Sequence, residues 1–300
     1  MKVVIAGGTG FVGKALVQDL LKKQHEVYVL TRNANKPSHD PNLHYVEWLK
    51  ENASPENVIQ KADAFINLAG VSLNSGRWTE ERKQAIVQSR ISSTREIIRI
   101  MESLEVKPSA YINASAVGYY GTAEQDTFTE TSPSVGHDFL AETVKVWEAE
   151  ASKAEDLGIR TVFTRFGVIL GKDGGALSMI ALPYRFFAGG TVGSGNQWLS
   201  WVHIKDVVEI IQFAIVNQDI QGPVNVTAPT PVQMKEFGQT VGAVLHRPHW
   251  LPAPSFGLKL MLGEMSMIIL EGQRVIPEKM IQHNYHFTYT KLEDALQDLL

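Results

Sequence analysis

Seven residues, Gly7-Gly8-Thr9-Gly10-Phe11-Val12-Gly13, stand directly after the apolar run 2–6 and directly before a helical pattern. A glycine-rich turn so placed can hold a diphosphate. Gly7 permits the tight turn, Gly10 lets backbone approach the ligand, and Gly13 lets the helix pack close to the strand. The helix start, with Thr9, Phe11 and Val12, offers unpaired N–H groups to the anion. The next strand ends in Leu30-Thr31-Arg32-Asn33, without the Asp or Glu that usually takes the ribose 2′-hydroxyl of NAD. Thr31 and Arg32 suit a 2′-phosphate, because a guanidinium can meet phosphate oxygens bidentately. The expected cofactor is therefore NADP(H). A solvated surface arginine is the plain alternative.

Leu68, Ala69 and Gly70 follow a further strand, where sheet topology places them beside the adenine and ribose. On the helix after it, Arg90 falls four residues from both Ile86 and Thr94, on the apolar stripe. A long cation facing inward needs a partner, which cofactor phosphates or a nearby carboxylate could supply. Arg77, in the loop before that helix, is expected to face substrate or solvent.

These residues need elements to hold them. Strand patterns at 2–6, 26–31, 64–68, 110–114 and 161–166 alternate with helical ones near 11–23, 79–104 and 139–157. Continuous Val/Ile-rich strands separated by helices predict parallel strands covered on both faces, joined by right-handed crossovers. The fold class is α/β, a doubly wound parallel sheet. After Gly171 glycines punctuate the chain, then a strand–helix unit returns at 201–217, with Asp206 placed as a helix cap, and a strand at 224–227. A helical pattern to Leu245, a proline-rich connector and a helix over 255–270 complete it. The division expected is 1–170 plus about 200–228 for the dinucleotide domain, and about 171–199 plus 229–300 for a smaller, interwoven C-terminal substrate domain.

Composition excludes several classes. With 28 basic against 32 acidic residues the net charge is −4, so no nucleic-acid partner is expected. The absence of cysteine removes disulfides, thiolate nucleophiles and Cys-based metal sites. The nine histidines show no HxH or HxxxH spacing, so no metal is expected. The longest apolar run, 258–270, is too short to span a bilayer and carries Lys259 and Glu264. With no export pattern at the N-terminus, the expectation is a cytoplasmic protein without a membrane partner.

Further motifs give the chain a likeness: NLAG at 67–70, GRWTE at 76–80, ASAVGYYG at 114–121, WEAEA at 147–151, RFGVILG at 165–171, GSGNQWLSWVHIKD at 193–206 and RPHWLPAP at 247–254. With GGTGFVG and LTRN, they make it resemble the extended short-chain dehydrogenase/reductases. Within these it is similar to the atypical "epimerase family protein" group, whose C-terminal segment is a domain of unknown function. The resemblance covers essentially all 300 residues. It implies a Rossmann-like NADP-binding domain, a small substrate domain and a cleft between them, with Ala114 and Ile169 also near the cofactor. A homodimer is allowed, and nothing in the sequence demands one.

The departures concern catalysis. The superfamily site has a Ser or Thr and a Tyr-x-x-x-Lys, which exchange a proton while hydride moves. The serine position falls at Ala116, with Ser115 one residue earlier. If Lys145 is the motif lysine, the tyrosine position is Ala141; sliding one residue gives Leu140 and Val144. Neither count yields a tyrosine. Ser115, Tyr120 and Lys145 are the candidate replacements, with Tyr120 and Lys145 as a displaced acid–base pair; in the other reading Tyr119 and Tyr120 pack under the loop and Lys145 holds the nicotinamide ribose. His203 reads as a buried, hydrogen-bonded histidine. Gln197, Trp198, Ser200 and Trp201 could line the cleft or anchor a core. The Met261, Met265 and Met267 face suits core or dimer packing, or a lid. Two functions follow: an NADP(H)-linked oxidoreductase or epimerase acting on an unknown small carbonyl, alcohol or sugar-like substrate through a non-standard site, or a non-catalytic NADP(H) sensor.

Overall fold

The strands that carry the site are apolar on both faces because helices cover both. In the computed structural model, which describes residues 1–35, 37–38, 40–74 and 76–300, the first half runs β1 (Lys2–Ala6), α1 (Phe11–Lys22), β2 (Glu26–Thr31), β3 (Leu43–Glu47), β4 (Ala64–Asn67), α2 (Glu80–Ser103), β5 (Ala110–Ala116), β6 (Thr127–Phe128), α3 (Phe139–Ala151) and β7 (Arg160–Phe166). Then come β8 (Val168–Gly171), β9 (Gly174–Gly175), α4 (Leu177–Arg185), β10 (Trp198–Leu199), β11 (Trp201–His203), α5 (Ile204–Val216), β12 (Gly222–Val226), β13 (Val232–Gln233) and α6 (Met234–Val244). The end of the chain holds α7 (Ser255–Leu262), α8 (Met267–Leu270), β14 (Arg274–Val275), α9 (Glu278–Gln282) and α10 (Leu292–Leu299).

Seven strands form one parallel sheet in the order β3-β2-β1-β4-β5-β7-β12, the doubly wound Rossmann-like architecture that the strand–helix alternation predicts. Val3, Ile5, Val27 and Ile66 meet α1 and α5 on one face, while Val4, Phe65 and Tyr111 meet α2 on the other. Strand order reverses between β1 and β4, and ligands of such sheets bind in the crevice at that point. The register brings the strand ends level: Ala6 pairs with both Leu30 and Asn67. The turn 7–13, the end of β2 and residues 68–70 therefore converge on one crevice.

A second core gathers Leu170, Tyr184, Leu199, Trp201, Phe237 and Leu296. Here the expected elements shift. β11 pairs with β8, outside the central sheet, although α5 behind it packs on α1. Asp206 is not the cap of α5. His203 is, its Nδ1 accepting from the Lys205 N–H at 3.1 Å. Asp206 is buried instead, accepting from the N–H groups of Thr288 and Tyr289 at 2.7 and 3.0 Å, which fastens the C-terminal segment to α5. The helix expected over 255–270 breaks into α7 and α8 around Gly263, whose φ of +62° belongs to the left-handed region that ends helices. No helix among the described residues is long and apolar enough to cross a membrane.

Candidate functional site

Two adjoining cavities mark the site. The first, of about 750 Å³, is the crevice itself, lined by Gly7, Thr9, Gly10, Thr31, Arg32, Leu68, Ala69 and Gly70. Gly7 has φ +80°, and a Cβ there would lie 2.6 Å from the Leu68 carbonyl carbon. A Cβ on Gly13 would lie 2.2 Å from the Gly7 oxygen, so close approach of α1 to the turn admits only glycine. Gly10 differs, since a Cβ there would meet only the Gly7 oxygen, at 3.2 Å, and otherwise open space. Gly10 is also the N-cap of α1 without a side-chain cap, and the first helical bond runs from Lys14 N to Gly10 O. The N–H groups of Phe11, Val12 and Gly13 are thus left for a ligand at the positive end of the helix. The Phe11 ring turns away and fills space over Gly171, Gly174 and Gly175.

At the other end of the crevice Arg32 is exposed and has no ion-pair partner among the described residues, and no carboxylate lines the wall. Trp48, Leu49, Ser89, Ser92 and Ser93 also line it. Sequence reasoning missed these five, because β3 is short and the α2 serines sit in no recognisable motif. Residues 68–70 are held from below by a buried network: Asn67 donates to Thr94 and Asn113 at 3.1 and 2.9 Å and accepts from the Ala69 N–H at 3.1 Å. Trp147 adds a bond to Thr94 at 3.2 Å. Ala114 and Ile169 lie in the strands and line neither cavity.

The second cavity, about 160 Å³, lies between the end of β5, α3, β10 and α8, with Arg90 of α2 on its wall. Ala116, Val117, Leu140, Thr143, Val144, Trp147, Trp198 and Met267 form much of its wall. Leu140 and Val144, one helical turn apart, share the face of α3 that looks into it. Lys145 does not: its Nζ is held by the Gly136 carbonyl at 2.7 Å and Glu142 at 2.9 Å. Of the two registers for the Tyr-x-x-x-Lys pattern, the one facing the cleft is therefore Leu140 and Val144. Both are aliphatic.

The structure does not bring Tyr120 and Lys145 together. Tyr120 is fully buried, donating to Asn225 at 2.8 Å and accepting from Arg165 at 2.9 Å, and it stacks on Phe128 at 5.2 Å. Burial pushes its hydroxyl pKa up, against the Arg165 charge, so it stays protonated at neutral pH. Ser115 also turns from the cleft and donates to Glu148. Glu148 and Arg165 pair bidentately at 2.8 Å, both buried. Although burial opposes the Arg165 charge, Glu148 holds its pKa above the usual range. The Arg165 guanidinium then lies 3.5 Å over the Tyr119 ring. Serine, tyrosines, arginine and glutamate brace the loop behind the cleft wall. The Ser115 and Tyr120 hydroxyls are consumed by that bracing, which is why the displaced acid–base pair does not form.

The remaining candidates divide. Trp198 and Ser200 line the cleft. Trp201 belongs to the second core, and Gln197 is buried, donating to the carbonyls of Val192 and Ile269 at 3.0 Å. Arg77 is exposed, as one of its two expected readings had it. It caps α7 through the carbonyls of Leu260 and Met261 at 3.1 and 2.8 Å, while Lys83 meets Glu264 at 2.9 Å. Met267 reaches the cleft, whereas Met261 is two-thirds exposed. No group of three or more metal-binding side chains occurs among the described residues.

Comparison with known proteins joins this geometry to a lineage. Residues 3–227 match the family described as "NAD dependent epimerase/dehydratase family". The chain belongs to that family. Residues 253–299 match a domain of unknown function, DUF1731. The chain is 50% identical to Epimerase family protein YfhF of Bacillus subtilis, over 100% of this chain and 98% of that one. It is 42% identical to an epimerase family protein of Staphylococcus aureus, over 99% and 98%. Among solved structures, human epimerase family protein SDR39U1 (isoform2) with NADPH has a TM-score of 0.87 at 32% identity, covering 100% of this chain and 99% of that one. A UDP-glucose 4-epimerase from Thermus thermophilus in complex with NAD has a TM-score of 0.77 at 17% identity, over 100% and 97%, and shares the fold. The family is one described as NAD dependent.

Proposed function

We propose that this member binds NADP(H) in the crevice and serves as an oxidoreductase or epimerase for a small carbonyl or alcohol compound held in the adjoining cleft. The carrying observation is the closeness of the two cavities: Gly70 lines the glycine-rich crevice, Arg90 lines the second, mostly apolar chamber, and the Gly70 Cβ position lies 3.4 Å from the Arg90 guanidinium carbon. The cradle fits the cofactor: the unbonded N–H groups of α1 and the space beside Gly10 suit a diphosphate. Arg32, the one charged side chain on the crevice wall among the described residues, favours a 2′-phosphate. Full-length similarity to a protein solved with NADPH agrees with that preference. The chamber's modest volume favours a small compound over a nucleotide sugar.

When bound, a nicotinamide ring supplies or accepts hydride. The chain's own contribution is to position and exclude water: Ala116, Val117, Leu140 and Val144 present only carbon to the cleft, and Trp147 and Trp198 wall its ends. The proton cannot pass through positions 140 and 144.

Those two aliphatic positions favour the second reading, a non-catalytic NADP(H) sensor. Single-turnover absorbance at the NADPH band, across small aldehydes, ketones and 2-oxo acids, separates the two. Oxidation of bound NADPH by a panel member is the expected result. Tight binding with no oxidation by any of them refutes the enzyme and leaves the sensor.

A further inference from the structure

Arg90 carries a charge that the protein leaves without a counter-ion. Its side chain reaches from α2 into the wall of the cleft, where Nη1 donates to the carbonyls of Ile86 and Val71 at 2.9 and 3.2 Å. Its guanidinium lies 5.0 Å from the Trp147 ring centre. Nε and Nη2 have no acceptor, and no carboxylate lies within ion-pair distance, among the described residues. Burial alone pushes its pKa down to about 10, so it remains charged at neutral pH.

Two other arginines, buried Arg165 and half-buried Arg160, are treated differently. Arg165 has a bidentate carboxylate, and Arg160 spends both terminal nitrogens on the carbonyls of Ala214, Ile215 and Ile220. A desolvated cation without a counter-charge is costly, and the cost falls when an anion arrives. The wall also carries Ala116, Leu140, Val144 and Trp147; its two carboxylates pair elsewhere, Asp138 with the Leu140 and Ala141 N–H groups and Glu271 with Thr122, and Arg90 is its one cation among the described residues. Ligand charge therefore has one favourable place to sit on this side of the chamber.

We propose that Arg90 is the anion seat of the cleft, receiving a carboxylate or phosphate oxygen of the bound ligand. The cation absent from α3 at Val144 is thereby supplied from the neighbouring helix. This rests on the dinucleotide reading, and it adds a ligand class: compounds with an anionic group on a small apolar body. Gly70, whose Cβ position lies 3.4 Å from the Arg90 guanidinium carbon, also lines the crevice. Two sources of the oxyanion follow, a separate substrate and the nicotinamide-side phosphate of the cofactor.

NADPH affinity of the unaltered protein is measured first, and failure to bind sinks the dinucleotide reading by itself. Small aryl carboxylates and their neutral amides are then titrated into the NADPH-saturated protein, with the heat of binding as the reporter. Nicotinamide mononucleotide is titrated into the cofactor-free protein. A charge-assisted hydrogen bond pair makes the expected preference for carboxylate over amide about tenfold or more. Arg90→Gln abolishes that preference, and Arg90→Lys, which keeps the charge, restores part of it. If the phosphate is the source, Arg90→Gln instead weakens nicotinamide mononucleotide and NADPH by about tenfold, and carboxylate and amide bind alike. Arg90→Met, which keeps the contact with Trp147, replaces the Gln variant should that one fail to fold. Charge-neutralised protein that keeps every affinity, or unaltered protein that prefers no anion in either arm, overturns the proposal.

Discussion

Replacing Arg32 with alanine tests the nucleotide preference with little interference from folding. The side chain is exposed at the end of β2 and has no ion-pair partner among the described residues, so its removal strands no buried charge. A hydrogen bond to a charged group contributes about 1.5–3 kcal/mol, and solvent exposure argues for the low end. About 1.5 kcal/mol corresponds to roughly a tenfold rise in Kd. NADPH should weaken by about that factor while NADH stays unchanged, because NADH brings no phosphate to the position. Arg32→Asp should go further, repelling the 2′-phosphate and offering an acceptor to a 2′-hydroxyl. Calorimetric titration of both cofactors at fixed ionic strength reads the ratio directly. Raising salt should shrink the difference for the unaltered protein, since an exposed pair is screened. Equal losses for NADPH and NADH, or no loss for either, refute the assignment of Arg32.

Two further outcomes follow from the same geometry. Gly10→Ala should leave the melting temperature nearly unchanged while weakening NADPH, whereas Gly13→Ala should lower the melting temperature as well, because its Cβ would press on the Gly7 and Gly8 backbone at 2.2 and 2.6 Å; calorimetric melting beside cofactor titration separates the two. His203 is buried, and burial pushes its pKa down to about 4 against an Asp298 carboxylate 3.3 Å away. The unfolded chain then binds the extra proton first, so stability present above about pH 6.5 is lost as pH falls towards 4, up to about 3 kcal/mol. His203→Asn keeps a capping acceptor without the titration, and a urea midpoint equally acid-sensitive in that variant would refute this.

The convergence of the glycine turn, the end of β2 and residues 68–70 on one crevice was legible because each acts locally. A turn of seven residues, the residue after a strand and a strand–loop tetrapeptide each act where they stand in the chain, and parallel register alone brings them level. The inward placement of Arg90 was legible for the same reason, from helical spacing. Tyr120 was not legible: its partners, Asn225 and Arg165, come from β12 and β7. Asp206 misled in a similar way, since a carboxylate early in a helix suggests a cap until residues 288 and 289 return to claim it. Arg77 is solvent-exposed as its loop position suggests, but its partners, the α7 carbonyls of Leu260 and Met261, could not be read from the sequence. Local geometry is written in spacing; the identity of a long-range partner is not.

That distinction bears on catalysis. A one-residue ambiguity in α3 decided whether a lysine faced the cleft, and only the helix face resolves it: residues 140, 144 and 147 look inward, while Lys145 is spent on Gly136 and Glu142. An aliphatic pair at the proton-transfer positions removes the phenol and the cation together. The buried groups behind the wall cannot replace the phenol, because Ser115 and Tyr120 are already hydrogen-bonded in the Glu148–Arg165 brace. The cation has a replacement in Arg90, whose unused N–H groups stand on the same chamber. The site has therefore kept the means to bind charge beside a cofactor while losing the protein's own means to give or take a proton at α3. Any proton consumed there must come from another group on the wall, from the ligand or from water admitted to the cleft. In an active enzyme, rates should then respond to the pKa of the bound compound more than to that of a tyrosine, and a pH–rate profile across a graded substrate series would expose the difference.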